Sequence, residues 1–319
     1  MAVGWIYDCR FLHHDTGSTH VERPQRLSAI VRTLQDTGLL ARLKPLAFQS
    51  ATPRELTLVH EPAYVDLVRM MAEQGFSFVG SSDTRICDRS YDVAALAVGG
   101  VLSACDHVAA GTVRRAFCAI RPPGHHAESD RAMGFCLFNN VAIAAEHLVR
   151  DRGLSRVAIV DFDAHHGNGT QRIFERRPDV LYISLHEHPA SLVFPGTGHA
   201  EETGTDAGSG YTVNIPLDRG GKWAQYRHAL ECQVLPALDR FQPQFLLLSA
   251  GFDALMWDGT SHLSLEPECY GPLTQALLQA ADRHAEGRVV SVLEGGYDLG
   301  QLGEAVAAHV RELVSEATA

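Results

Sequence analysis

The sequence predicts an α/β protein: a central, mostly parallel β-sheet flanked by helices on both faces. Three observations carry this. Short apolar runs alternate with helical patterns along the chain, as expected of strands joined by helical crossovers. Runs such as "FLLLSA" (245–250) are apolar almost without a break, which suits strands covered on both sides. Five runs end in polar or ionisable residues beside Gly or Pro; the carboxyl edge of such a sheet is where ligands bind.

The elements follow in order. "VGWIY" (3–7) reads as the first strand, and "ERP" starts a helix near 24–36 because Pro suits the first helical position. Helical patterns near 61–73 and 92–110 precede the strand "AFCAI" (116–120). A helix near 139–150, the strand "RVAIVDF" (156–162) and a helix near 168–176 come next. The strands "VLYISL" (180–185) and "YTVNI" (211–215) lead to a helix near 222–240. "FLLLSA", a helix near 267–286, the strand "RVVSVL" (288–293) and a helix near 299–316 complete the chain. No low-complexity tract, long linker or internal repeat divides it, so a single domain over 1–319 is expected.

Composition narrows the function. With 45% hydrophobic and 20% charged residues the chain is ordinary for a globular protein. A formal charge of −11 argues against nucleic acid, which asks for a basic face, and suits a neutral or cationic substrate. No apolar run reaches the roughly 18 residues of a membrane span. "MAVGWIYDCRFLHHD" lacks a basic region followed by an apolar stretch, so no signal peptide and a cytoplasmic location are expected. The seven scattered cysteines contain no C-x-x-C and predict neither a disulfide framework nor a zinc knot. They read as reduced, small apolar side chains, with Cys136 a packing residue rather than a nucleophile.

The densest chemistry lies in "IVDFDAHHGNGT" (159–170). Extended alternation would turn Asp161, Asp163 and His165 to one face. Two acids and an imidazole are costly to leave unpaired near a core, and a cation removes that cost. Asp and His donors suit zinc, which in catalytic sites takes three protein ligands; Asp253 of "SAGFDA" is the candidate third. Asp253 alone reads more readily as a hydrogen-bonded, helix-capping carboxylate. In "RPPGHHAE", His125 and His126 follow a rigid Pro-Pro-Gly approach and would provide a general base and an acid. In "EGGYD", two glycines allow close backbone approach, and Tyr297 is either a packed turn residue or a hydrogen-bond donor to a developing oxyanion.

Together "RPPGHHA", "DFDAHHGNGTQ", "SLHEHPASLVFPGTG", "SAGFDA" and "LEGGYD" resemble the zinc-dependent histone deacetylase family. The likeness runs from about residue 7 to 316 and includes "HDTGSTHVERPQRL". It is nearest to the class II-like branch with its bacterial histone deacetylase-like amidohydrolases and acetylpolyamine amidohydrolases. The resemblance implies an arginase/deacetylase-type single domain. It implies zinc at Asp163, His165 and Asp253, His125 held by Asp161, His126 held by Asn168, and Tyr297 polarising the substrate carbonyl. Asn168 is itself a mark of the class II-like branch, since class I usually has Asp there. Phe135 and Phe194 would wall a narrow acyl-lysine tunnel, with the Gly134 carbonyl facing the substrate amide. The resemblance also implies structural potassium. One ion would sit at oxygens of Asp161, Asp163, His165, Ser184 and Leu185, a second near Phe174, Val180 and Tyr211.

Two departures concern the tunnel rim. Val21 stands in "HVERP" where the family usually has Pro, and "DGT" replaces the usual D-P-L. The substrate-gating position is thus Thr260, neither the Leu of many protein deacetylases nor the Glu of an acetylpolyamine-preferring relative. The implied activity is zinc-dependent removal of acetyl or other acyl groups from lysine side chains in proteins or peptides. Deacetylation of acetylpolyamines or other small amines is the alternative. An arginase-type binuclear manganese enzyme would need a second D-x-D pair, which "GFDALMWD" does not supply. A non-enzymatic scaffold would normally have lost a ligand or the tyrosine. The expected partner is an acylated lysine or amine, with neither nucleic acid nor membrane; a homo-oligomer stays open.

Overall fold

A computed structural model describes residues 2–315. Among them, eight strands form one sheet: β1 (Val3–Ile6), β2 (Leu43–Pro45), β3 (Arg115–Cys118), β4 (Val157–Asp161), β5 (Val180–Glu187), β6 (Thr212–Leu217), β7 (Phe245–Ala250) and β8 (Val289–Leu293). Their spatial order is β2-β1-β3-β8-β7-β4-β5-β6, and every neighbouring pair is parallel. The sheet expected to be mostly parallel is therefore wholly parallel. β3, β4, β7 and β8 are buried at every residue, as expected of largely apolar strands covered on both faces.

Ten α-helices accompany the sheet among the described residues: α1 (Gln25–Asp36), α2 (Pro53–Leu56), α3 (Pro62–Glu73), α4 (Ser90–Ala109), α5 (Asn140–Arg150), α6 (Asn168–Phe174), α7 (Trp223–Ala229), α8 (Leu235–Phe241), α9 (Tyr270–His284) and α10 (Leu302–Leu313). α4 and α5 pack on the sheet together, while α1, α8, α9 and α10 form a separate packed group. The predicted helix at 222–240 is α7 and α8 joined by a π-helical turn over Leu230–Val234. Pro236 cannot donate to a carbonyl one turn back, and the widened turn accommodates it.

Two elements differ from expectation. β2 is a three-residue edge strand with two exposed residues, too short to give a periodic signal, and its Pro45 is tolerated at an edge. α2 is a single turn closed by a capping box between Thr52 and Glu55, for which "TPRE" was the available signal. The exposed Cys9 and Cys232 correct the reading of all the cysteines as apolar packing residues; Cys105, Cys118 and Cys136 fit it.

α4 is long and apolar enough to cross a membrane by length and composition, which corrects the reading that no apolar run reaches that length. In this fold it is a core helix, most of it buried. Gly99 sets how closely it approaches the chain: a Cβ there would lie 1.8 Å from the Gln49 carbonyl oxygen, a backbone atom that cannot swing away. Alanine gains about 1 kcal/mol of helix propensity over glycine, but overpacking costs about 1–3 kcal/mol. Gly99→Ala is therefore expected to lower the thermal midpoint by up to about 3 °C, measured by calorimetry.

His309 of α10 is fully buried, its Nδ1 2.6 Å from Thr274 Oγ1 and its Nε2 2.8 Å from Ser291 Oγ. Burial pushes its pKa down from 6.5 to about 3. The unfolded chain binds the proton first, so this group's stabilisation is complete above 6.5 and is lost as pH falls toward 3. His14 behaves alike, its pKa lowered to about 3 by burial and then by the charge of Arg121. Urea midpoints are expected to fall between pH 7 and 4, and less steeply in His309→Leu.

Candidate active site

Strand order explains why distant motifs meet. β3, β8, β7 and β4 are neighbours, and "RPPGHH", "EGGYD", "GFDA" and "DFDAHH" follow their carboxyl ends. Glu294, just past β8, ties these ends together. Its Oε2 accepts from the Gly124 and His125 amides at 2.6 and 3.1 Å, and its Oε1 from the Ser249 hydroxyl at 3.1 Å. Burial pushes its carboxyl up to about 7.

β4 ends at Asp161, so strand alternation ends there too. This corrects the expectation that Asp161, Asp163 and His165 share one face. Asp161 turns to His125 and Tyr182: its Oδ2 lies 2.9 Å from His125 Nδ1 and accepts the Tyr182 hydroxyl at 3.0 Å. The candidate metal group is Asp163, His165 and Asp253, all buried, with one donor atom from each within 4.8 Å of the others. Backbone amides aim the carboxylates. Asp163 accepts from His165 N at 2.9 Å and Gly295 N at 2.8 Å, and Asp253 accepts from Ala164 N at 2.8 Å.

His165 shows that this group fits a cation. Its Nε2 donates to the Thr260 carbonyl at 3.0 Å, which in the neutral ring leaves a bare lone pair on Nδ1. That nitrogen faces Asp253 Oδ2 at 2.9 Å and Asp163 Oδ1 at 3.1 Å. Against the effect of burial, the charges of Asp253 and Asp163 hold the His165 pKa well above the usual imidazole range, so this spot favours a positive charge. Burial and then the charge of Asp163 push the Asp253 carboxyl up to about 7. Gly251 and Gly295 leave the needed room, since a Cβ at either would lie 2.1 or 2.2 Å from an Asp163 or Asp253 oxygen. Two carboxylates and one imidazole match the donor set of a catalytic zinc.

The paired histidines have opposite surroundings. Their ring centroids are 4.0 Å apart. Burial opposes charge on His125, but Asp161 and Asp163 outweigh it and raise its pKa to about 10. His126 is held well below the usual imidazole range by burial and by the charges of His125 and His165. Its Nδ1 donates to Asn168 Oδ1 at 2.9 Å, and the Asn168 amide is oriented by donating to Glu128 Oε1 at 3.0 Å. His126 Nε2 is thus the unprotonated nitrogen. Pairs whose environments push their pKa values apart separate acid and base roles.

Aromatic residues frame the histidines. Gly134 (φ 56°) and Phe135 (φ 68°) are successive left-handed residues. A Cβ on Gly134 would lie 2.4 Å from His126 Cδ2 and 2.8 Å from Phe194 Cε1, so only glycine fits. Phe135 meets the Tyr297 ring edge-on at 5.7 Å, and Phe194, partly exposed, meets His126 at 4.9 Å. The Gly134 carbonyl is 3.2 Å from the Cys136 thiol. Burial raises the Tyr297 phenol well above its usual range, keeping it a proton donor.

Sequence reasoning did not single out the support beneath Tyr297. The Arg26 guanidinium lies over its ring, 4.7 Å from the centroid, and donates from Nε to the Gly296 carbonyl at 2.6 Å. Buried Glu22 holds Arg26 and Arg121. Its spacing to Arg26, four residues on, was the legible signal. Ser184 and Leu185 lie on β5, where Ser184 pairs with Asp161. Phe174 ends α6, Val180 opens β5, and the Tyr211 carbonyl accepts from Tyr182 N at 2.9 Å. That second set lies toward the opposite end of β5 from the histidines.

A parallel sheet whose strand ends gather a cation-binding trio, an imidazole pair and a tyrosine defines a candidate metal-assisted hydrolase. Comparison with known proteins makes this specific. The model for the histone deacetylase domain matches residues 20–313. The chain is 41% identical over 278 residues to the histone deacetylase-like amidohydrolase of Pseudomonas aeruginosa, covering 87% of this chain and 72% of that protein. It is 41% identical over 310 residues to human polyamine deacetylase HDAC10, covering 95% of this chain and 46% of the relative. The crystal structure of the HDA15 HD domain superposes with a TM-score of 0.94 at 38% identity, over all of this chain and 89% of that one. The chain belongs to the histone deacetylase family, and its fold is the one that family shares with arginase. The trio predicts that Asp253→Ala loses stoichiometric divalent metal, measured by elemental analysis of purified protein, whereas Tyr297→Phe keeps it.

Proposed function

We propose that this protein is a zinc-dependent amidohydrolase that removes acetyl or other acyl groups from lysine side chains in proteins or peptides. The observation that carries the reading is the convergence of His165 Nδ1 and two buried carboxylates, Asp163 and Asp253, on one point. Asp163, His165 and Asp253 would hold the ion. When bound, zinc acts as a Lewis acid that polarises an amide carbonyl and makes water acidic near neutral pH.

The chain's own groups supply the remaining steps. His126 Nε2 accepts the proton of the attacking water, its other nitrogen being committed to Asn168. Tyr297 donates a hydrogen bond to the carbonyl oxygen as negative charge develops there. His126 then returns its proton to the leaving amine, so that lysine and the carboxylic acid are released. Asp161 keeps His125 oriented, with its charge available to the site. Phe135 and Phe194 form the sides of a slot for an acyl-lysine chain, and the Gly134 carbonyl faces the substrate amide. Structural potassium at oxygens of Asp161, Asp163, His165, Ser184 and Leu185, with a second ion near Phe174, Val180 and Tyr211, belongs to the same proposal.

For the amine carrier, Thr260 favours lysine. Its hydroxyl is bonded to Asp258 Oδ1 at 2.6 Å, and position 260 offers no carboxylate for the second ammonium of a polyamine. The rival reading, an acetylpolyamine deacetylase, is favoured by the 41% identity to a polyamine deacetylase. Turnover of acetyl-lysine peptides, longer acyl-lysines and acetylpolyamines by the zinc-loaded enzyme decides between them. A kcat/KM for acetyl-lysine peptide more than about tenfold above that for acetylpolyamine is expected, a difference of about 1.4 kcal/mol; the reverse order would establish the rival. Tyr297→Phe and His126→Ala are each expected to lower kcat by about 10²-fold or more with zinc retained.

A further inference from the structure

From the hydrogen bonds of one buried carboxylate we infer that Asp258 is a positioning residue. It links the substrate-gating position, Thr260, to the backbone that aims Tyr297. The inference rests on the proposed role of Tyr297 as donor to the developing oxyanion.

Asp258 lies between β7 and α9 and is nearly buried. Its two oxygens do different work. Oδ1 accepts the Thr260 hydroxyl at 2.6 Å. Oδ2 accepts the backbone amides of Tyr297 at 2.5 Å and Asp298 at 3.0 Å. A carboxylate that accepts two successive amides fixes the corner they belong to, through charge-assisted bonds stronger than neutral ones. This corner needs fixing. Tyr297 follows Gly296, whose φ of 117° no other residue readily adopts. The glycine lets the chain turn there without setting the direction of the next side chain. Arg26 under the ring and Asp258 on the amide hold Tyr297 from two sides.

Thr260 is bound through both its carbonyl and its hydroxyl. Its carbonyl accepts from His165 Nε2, and its hydroxyl donates to Asp258. A change of side chain at 260 leaves the carbonyl contact in place but removes a donor from the carboxylate that holds Tyr297. The gating position therefore acts on turnover as well as on substrate fit. Asp258 itself reaches the reaction only through the tyrosine.

A double-mutant cycle tests this. Asp258→Asn and Thr260→Val are each made in the otherwise unaltered enzyme and in Tyr297→Phe, with kcat and KM for an acetyl-lysine peptide, zinc content and thermal midpoint recorded. In the unaltered background Asp258→Asn is expected to lower kcat about 10–100-fold with KM within about twofold, since it disturbs a transition-state contact. Thr260→Val is expected to lower kcat several-fold, and Thr260→Ser, which keeps the hydroxyl, to restore it. In the Tyr297→Phe background neither change should slow the enzyme further, because residues acting through one group are not additive. Losses that multiply in that background, or that fall on KM alone, overturn the inference. If Asp258→Asn does not fold, the Thr260→Val and Thr260→Ser arms separate the same two outcomes. A Tyr297→Phe enzyme with unaltered turnover would remove the proposed oxyanion donor and this inference together, an outcome distinct from additivity.

Discussion

Two carboxylates buried against one imidazole nitrogen are the constraint on which the site depends. Taking charged groups out of water costs several kcal/mol each even after relaxation, and like charges a few ångströms apart add to that. Protonating His165 at Nδ1 offsets part of the cost while Nε2 keeps its bond to the Thr260 carbonyl, but one proton serves two carboxylates. A cation among Asp163, His165 and Asp253 satisfies all three at once. The glycines beside them, Gly251 and Gly295, are where the chain leaves space for this group.

Everything that holds the trio comes from the order of the sheet. Asp163 and His165 follow β4, Asp253 follows β7, and the amide of Gly295 after β8 grips Asp163. These strands are adjacent, and each is buried on both faces. The positions of three loops are thus set by a rigid parallel ladder, while the chemistry is carried by loop residues. His125 and His126 come from the next strand end along, after β3, and Glu294 fixes their approach by accepting two of its amides.

What could be read from the sequence was what repeats or clusters. The strands β4, β7 and β8 stand out as unbroken apolar runs, and the acids and imidazoles cluster directly after them. The trio and the histidine pair were legible for that reason. The division of labour between Asp161 and Asp163 was not legible from alternation, because the strand ends at Asp161 and the next residues turn. Asp258 and the Thr260 carbonyl were also silent. A backbone acceptor has no side-chain signature, and a carboxylate that caps a distant corner has no fixed spacing to it. Arg26 lay in view as the partner of Glu22 four residues before, yet nothing local showed that its other face would carry Tyr297.

The central claim is a single zinc ion held by these three side chains. Diffraction from crystals of active enzyme on either side of the zinc absorption edge tests it directly. One anomalous peak is expected, about 2.0–2.2 Å from carboxylate oxygens of Asp163 and Asp253 and from Nδ1 of His165. Active crystals with no peak there, or with their zinc bound by other residues, would contradict it.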